Sequence, residues 1–276
     1  MKKLVTKLYH GKSGKVFVVI GIFAVLFILF YAISFYLQSR ASNDSKVVEV
    51  APSLKEKEGV LSIFFLSIEE ETVDYEVKVR YPKINSTTVR QDEANKSIEK
   101  YFNNKVASFI NNTLSRMSTD AADHPNDLPK NSYIAETEKV FENEDFISFF
   151  TEEFFYYRGT AHPSHMSVTF VYGKKDDKIF TLSDVFVTSD AFYKTLTPLV
   201  TQKLTKSLEE IMEKKLDKSS LEWVQEGLSN KEESFEKFTL SDTGVVFYFD
   251  EYEVASYVFG PQQVFVSYEE LKKFKK

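Results

Sequence analysis

Cysteine is absent from this 276-residue sequence. That excludes disulfide scaffolds, thiolate metal clusters and cysteine nucleophiles. Only nine glycines and seven prolines are present, too few for low-complexity or collagen-like chains. Basic residues are outnumbered, 35 against 41 acidic, for a net charge of −6. An acidic chain is a poor nucleic-acid binder, so none is expected as a partner. No phosphate-binding loop, dinucleotide fingerprint or Gly-x-Ser-x-Gly elbow occurs. What is present is apolar and aromatic: 43% hydrophobic residues, with 26 Phe and 15 Tyr. That is too rich for a disordered chain.

The longest apolar run is Val16 to Leu37, 22 residues without a charge. As a helix it would span about 33 Å, enough for a bilayer core of about 30 Å. Residues 1–15 carry Lys2, Lys3, Lys7, Lys12 and Lys15 and no acid. The positive-inside rule then predicts a cytoplasmic tail (1–15), a single transmembrane helix (16–37) and an extracytoplasmic remainder. The alternative, a cleaved signal peptide, normally has a shorter apolar region. Setting aside the five N-terminal lysines leaves 30 basic against 41 acidic side chains, net −11 beyond residue 15.

Residues 38–58 read as a linker, and 59–276 as the extracytoplasmic domain, with an N-terminal part (59–118) and a C-terminal part (132–276). Val73 to Tyr81 alternates apolar and polar residues, a half-buried strand ended by Pro82, with Val60–Ile68 as its partner. Residues 89–115 switch to a spacing of three and four, an amphipathic helix. A loop over Met117–Asn131 is followed by a hairpin of Tyr133–Phe141 and Phe146–Tyr157 around Glu142-Asn143-Glu144-Asp145. Phe149, Phe150, Phe154 and Phe155 read as core on a strand covered on both faces rather than as a sugar platform. Further strands are expected at Met166–Tyr172, Lys178–Phe180, Val245–Phe249 and Gln262–Tyr268. Helices are expected at Ser189–Leu216, with a restart at Pro198, at Leu221–Glu226, stopped by Gly227, and at Tyr268–Lys276. The order predicts an α+β fold with a mostly antiparallel sheet and packed helices, preceded by one N-terminal transmembrane helix.

One segment joins reactive groups to a constrained backbone: Tyr157-Arg158-Gly159-Thr160-Ala161-His162-Pro163-Ser164-His165. Gly159 permits an unusual backbone angle and Pro163 fixes another. His162 and His165 lack a strong third ligand, so no metal is expected. Glu152 and Glu153 are adjacent on a strand and point to opposite faces, so they cannot flank one substrate. No catalytic residue and no cofactor is assigned.

Several short motifs share one order. Tyr81-Pro82 ends the alternating strand, a helix follows, and an aromatic strand runs into Gly159-Thr160-Ala161-His162-Pro163. Phe180-Thr181-Leu182-Ser183-Asp184-Val185-Phe186 comes next, then Phe238-Thr239-Leu240, Phe247-Tyr248-Phe249, Tyr252-Glu253-Val254-Ala255 and Gly260-Pro261. Over about residues 60–276 this resembles the extracytoplasmic domain of unknown function shared by the anti-sigma factor RsiV and the N-terminal part of the peptidoglycan deacetylase PdaC. The family's Gly-Gly-Ala-His has Thr160 at its second glycine here. RsiV receives lysozyme outside and releases a sigma factor inside, whereas PdaC carries the module beside a catalytic domain. Neither a catalytic nor an anti-sigma domain is recognisable, and fifteen residues are too few to grip a sigma factor. The resemblance therefore implies a membrane-anchored binding or sensor module, not an enzyme, whose ligand is a cationic wall-active protein such as lysozyme, or peptidoglycan. The candidate binding residues are Tyr157, Gly159, Thr160, Ala161, His162 and Pro163. Two rival expectations stand beside it: a cell-wall glycan-acting enzyme using the His162 loop, and a signalling subunit released by cleavage of its anchor.

Overall fold

The computed structural model describes residues 46–49, 63–119, 129–229 and 232–276. The apolar segment 16–37 lies outside the described residues, and among those described no helix is long and apolar enough to cross a membrane. A short strand, β1 (Lys46–Glu49), falls within the stretch read as a linker.

Among the described residues, two sheets and four α-helices make an α+β fold. The larger sheet runs in sequence order from β1 through β2 (Ile63–Glu71), β3 (Tyr75–Ile84), β4 (Asn131–Glu142), β5 (Phe146–Tyr156), β6 (Ser164–Gly173) and β7 (Lys178–Ile179). The described pairings in it are antiparallel except β3 with β4, which is parallel. A parallel pair needs a long crossover, and helix α1 (Val89–Thr119) lies in it. Because β3 pairs with β4, residues on either side of the 118/132 division share one sheet.

Strand β3 continues through Pro82 to Ile84, where an end at Pro82 was expected. Proline cannot donate to a ladder. Here β4 pairs only with Tyr75–Arg80, so no ladder bond toward that neighbour is demanded of Pro82. Helix α1 lays Ala94, Ile98, Phe102, Val106, Phe109 and Ile110 against the sheet, all at most 7% exposed. Tyr81 stacks on Phe102 at 5.3 Å between ring centres.

One carboxylate lies in that interface. Glu153 of β5 is fully buried. It accepts hydrogen bonds from Tyr133 Oη at 2.6 Å and Tyr101 Oη at 3.1 Å, with Lys105 Nζ at 3.5 Å. Its neighbour Glu152 is exposed on the opposite face, as strand alternation requires.

The second sheet is β8 (Phe238–Leu240), β9 (Gly244–Phe249) and β10 (Gln262–Ser267), antiparallel in the order β10-β9-β8. It packs on the other face of the large sheet. Ser148 Oγ of β5 accepts from Leu240 N and donates to Leu240 O, both at 2.9 Å, and Thr169 Oγ1 of β6 accepts from Phe238 N. Phe150 stacks on Tyr248 at 4.7 Å. Strand β5 is thus covered on both faces along much of its length: Phe149 is core and Phe146 and Phe155 pack against core, whereas Phe150 and Phe154 are only half-buried.

A one-turn segment that periodicity did not reveal, α2 (Leu182–Val185), is short enough to pass for a loop. Helix α3 (Asp190–Met212) is continuous through Pro198 instead of restarting there. It ends four residues before Leu216 because Glu213 adopts the left-handed conformation, with φ 54°. Helix α4 (Lys218–Gly227) is N-capped by Asp217, which accepts from Ser220 N at 2.8 Å. Gly227 is needed for a close approach rather than for a special angle: a Cβ there would lie 2.1 Å from Glu253 O. The helix expected at Tyr268–Lys276 is instead a run of turns. Its end is drawn out to pair with the segment around Phe186, through Val187 N to Phe274 O at 2.7 Å and Lys276 N to Val185 O at 3.0 Å.

Candidate functional site

The expected segment forms the connection from β5 to β6. Gly159 takes φ +85° with nothing within 4 Å of a would-be Cβ, so conformation, not space, calls for glycine. The turn closes through Thr160 N to Tyr157 O at 3.0 Å. Thr160 Oγ1 is 2.7 Å from Tyr157 O and 3.3 Å from His162 O. The threonine at the family's second glycine therefore braces the loop.

The six sequence-selected residues do not converge. Tyr157 turns inward, 5.4 Å from the Phe109 ring and 4.5 Å beneath the Arg116 guanidinium, and anchors the loop base to α1. Gly159 and Ala161 are exposed, and Thr160 and Pro163 are half-buried. His162 instead reaches the second sheet's loop. It meets the β9–β10 connection, residues 250–261, which sequence reasoning did not select as part of a site. The signals there were the Tyr252-Glu253-Val254-Ala255 and Gly260-Pro261 motifs, with Tyr257 between them.

His162 stacks on Tyr257 with ring centres 3.8 Å apart. Its Nδ1 lies 2.8 Å from Pro163 O and its Nε2 lies 3.2 Å from Tyr252 Oη. A carbonyl only accepts, so Nδ1 carries the proton, and in the neutral ring Nε2 accepts from the tyrosine. Tyr252 has φ 66° and is held from behind by Trp223 of α4, whose Nε1 donates to Tyr252 O at 3.0 Å. His165 is engaged elsewhere: its backbone N donates to Glu251 at 3.2 Å, and its Nδ1 is 3.3 Å from Glu152. The two histidines thus serve different contacts. Among the described residues no group of three or more His, Asp or Glu is placed to hold a metal ion.

Charged side chains fasten the second loop. Asp250 accepts from Ser167 N of β6 at 2.7 Å and from Lys237 Nζ at 2.5 Å. Glu253 accepts from Asp250 N at 2.8 Å and from Lys237 Nζ at 3.2 Å. The two carboxylates hold the Lys237 ammonium above its ordinary pKa, against the opposing effect of burial. Outside this frame stand Val258, 83% exposed, Tyr252, 50%, and Trp223, 37%. Glu152 and Glu251 rim the surface. The result is a rigid, aromatic, acid-bordered projection built from both sheets. Lys237→Met is expected to cost about 2–3 kcal/mol, because two carboxylates lose their shared counter-charge. Amide hydrogen exchange should rise over residues 250–260; unchanged protection there would refute this account of how the loop is held.

Comparison with known proteins agrees with this architecture. A family model described as a protein of unknown function (DUF3298) matches residues 183–269, and one described as deacetylase PdaC matches residues 68–165. The crystal structure of a DUF3298 family member from Bacteroides fragilis NCTC 9343 is similar at a TM-score of 0.57 and 17% identity, over 80% of this chain and 96% of that one. That of a DUF3298 family protein from Pseudomonas aeruginosa PAO1 is similar at 0.53 and 15%, over 79% and 96%. At such identities the likeness is one of fold. No curated protein matches the chain. The fold is thus that of the DUF3298 structures, and the chain carries a DUF3298/PdaC-like domain of unknown function.

Proposed function

We propose that this chain is a non-catalytic, membrane-anchored binding module whose His162 projection docks on a cationic wall-active protein such as lysozyme outside the cell. The observation that carries the reading is the locked pair of loops around His162. Tyrosine and tryptophan are the residue types that anchor protein interfaces, and loops already ordered before binding pay little entropy on docking. The acid-bordered rim and the net −11 beyond residue 15 favour a basic partner and chiefly raise its rate of encounter. The anchor rests on the charge-free segment 16–37 and the lysines before it. A non-catalytic role is favoured because both ring nitrogens of His162 are already engaged and Glu152 and Glu153 face apart.

Binding to immobilised lysozyme tests the reading. His162→Ala and Tyr257→Ala should each weaken binding about 5–30-fold at low and at moderate salt, with net charge untouched. Opposite-charge sticking would ignore both substitutions and fade by roughly 0.3 M salt. Equal affinities for wild type and both variants would sink the site. Binding to peptidoglycan fragments but not to lysozyme would overturn the partner class.

A further inference from the structure

The two edges of the small sheet are finished differently. On β8 the outward N–H groups of Phe238 and Leu240 donate to Thr169 and Ser148 of the large sheet. The edge of β6 is closed in a similar way, its His165 and Ser167 N–H groups donating to Glu251 and Asp250. Strand β10 forms the other edge of the small sheet. Three flanking hydrogen bonds fix which of its backbone groups face outward: Tyr268 N to Thr243 O, Tyr248 N to Lys237 O and Ser241 N to Gly244 O. Bonding alternates along an antiparallel pair. Gln262, Val264 and Val266 therefore bond to β9, and Gln263, Phe265 and Ser267 face away.

This outward row is closed at both ends. Ser267 N donates to Glu270 Oε2 at 2.8 Å, and Ser267 O accepts from Glu270 N at 3.1 Å. Pro261 has no N–H, and its carbonyl accepts from Gln262 Nε2 at 3.2 Å. Between these ends the N–H and C=O of Gln263 and Phe265 have no partner among the described residues, and both residues are exposed. Open edges are ordinarily guarded by lysine, proline, a bulge or a covering element. Gln262–Ser267 has no charge, no proline and no register shift. Val264 and Val266 turn into the core shared with α3. Phe265 turns the other way, 45% exposed, with its ring over Gly244, where a Cβ would lie 2.7 Å from it.

We infer that two copies of this chain join their small sheets edge to edge through β10, antiparallel about a two-fold axis. The strip is complementary to itself. Gln263 falls opposite Phe265 of a second copy, and Val264 falls opposite its own counterpart. Each copy brings two bare N–H and two bare C=O groups, so four inter-strand hydrogen bonds use them all. A shift of two residues either way sets a bare group against Pro261 or the closed Ser267. In the matched register the two Phe265 side chains are diagonal neighbours, about 7–8 Å apart and within aromatic reach. The neutral strip also lets two acidic chains approach, and the adjacent Lys203–Glu270 pair is itself neutral. A foreign strand would share neither the matched ends nor the two-fold symmetry that most soluble oligomers adopt. The strip is short, so the dimer is weak and reversible.

Cross-linking and sedimentation of the full-length protein in detergent test the inference. The chain has no cysteine, so introduced thiols stand alone. Copies carrying Gln263→Cys and differently tagged copies carrying Phe265→Cys are oxidised mildly, each alone and then mixed. Opposite positions bring Cβ atoms to about 5 Å and diagonal ones only to about 7–8 Å, whereas a disulfide needs about 4 Å. The mixed disulfide should therefore exceed either like-with-like product at least about fivefold. Sedimentation equilibrium of the wild type should show monomer–dimer exchange. Gln263→Pro removes one outward N–H per copy and no bond to β9, and should weaken association at least about fivefold. Phe265→Lys should weaken it as much, although it reduces the net negative charge and would favour indiscriminate association. A wild type that is monomeric at every concentration, equal yields of the three disulfides, or a dimer indifferent to both substitutions overturns the inference. Thermal melts separate lost association from lost folding; where one variant fails to fold, the other and the disulfide pattern decide.

Discussion

Replacing Glu153 with alanine is expected to destabilise the protein by about 3–5 kcal/mol, the largest effect of any single polar substitution in the α1–sheet interface. The carboxylate is fully buried, and three donors from two different elements meet it: Tyr133 from β4, and Tyr101 and Lys105 from α1. Alanine strands the buried Tyr133 hydroxyl and the partly buried Tyr101 hydroxyl and leaves a cavity. Glutamine keeps the shape but loses the charge and supplies an unwanted donor, so Glu153→Gln should cost less, about 1–3 kcal/mol. Urea unfolding of the two variants gives the ranking. If both fell within about 0.5 kcal/mol of wild type, the carboxylate would not be what holds α1 to the sheet.

A second large effect is expected in alkali. Tyr81, Tyr133 and Tyr172 are at most 2% exposed. Burial pushes Tyr81 up to about 12. It raises Tyr133 and Tyr172 further, helped by the carboxylates of Glu153 and Asp177 to which their hydroxyls donate. In the unfolded chain each ionises near pH 10. A raised folded pKa adds stability that is complete below the unfolded value and is lost as pH climbs toward the folded one. Each group should therefore forfeit about 1.4 kcal/mol per pH unit above 10, or about 4 kcal/mol for the three at pH 11. Against a total of roughly 5–15 kcal/mol, the fold should collapse cooperatively near pH 11–12. Phenolate absorbance and far-ultraviolet circular dichroism should then change together. Gradual ionisation of all 15 tyrosines before any loss of circular dichroism would contradict the argument.

The elements that the sequence made legible are those whose partners are local or whose period is long. Helix α1 shows itself through Ala94, Ile98, Phe102 and Phe109, and the β4–β5 hairpin through its polar turn. The α+β class and the opposed faces of Glu152 and Glu153 follow from the same periodicities. What was not legible depends on contacts distant in sequence. Pro82 looks like a strand end until one sees that β4 no longer flanks it. Lys275 belongs to an irregular bridge because Phe186 waits for it. Of the candidate residues, His162 was legible as a constrained reactive group. Tyr252, Tyr257 and Trp223 were not, since nothing local says that their segments meet it.

The stitching of β8 to the large sheet bears on how the chain is made. Ser148 and Thr169 give their hydroxyls to backbone that lies about 70–90 residues further along. A ribosome adding ~5–20 residues per second needs several seconds to deliver it. During that interval the large sheet stands with Phe150 and Val171 bare on one side. The two matched segments, 68–165 and 183–269, part between the start of β6 and α2, yet the physical seam runs across the face of β5 and β6. An N-terminal fragment cut at the family boundary would therefore be a sticky half-barrier rather than a free-standing domain, and chaperone demand should peak while residues 180–250 are being synthesised.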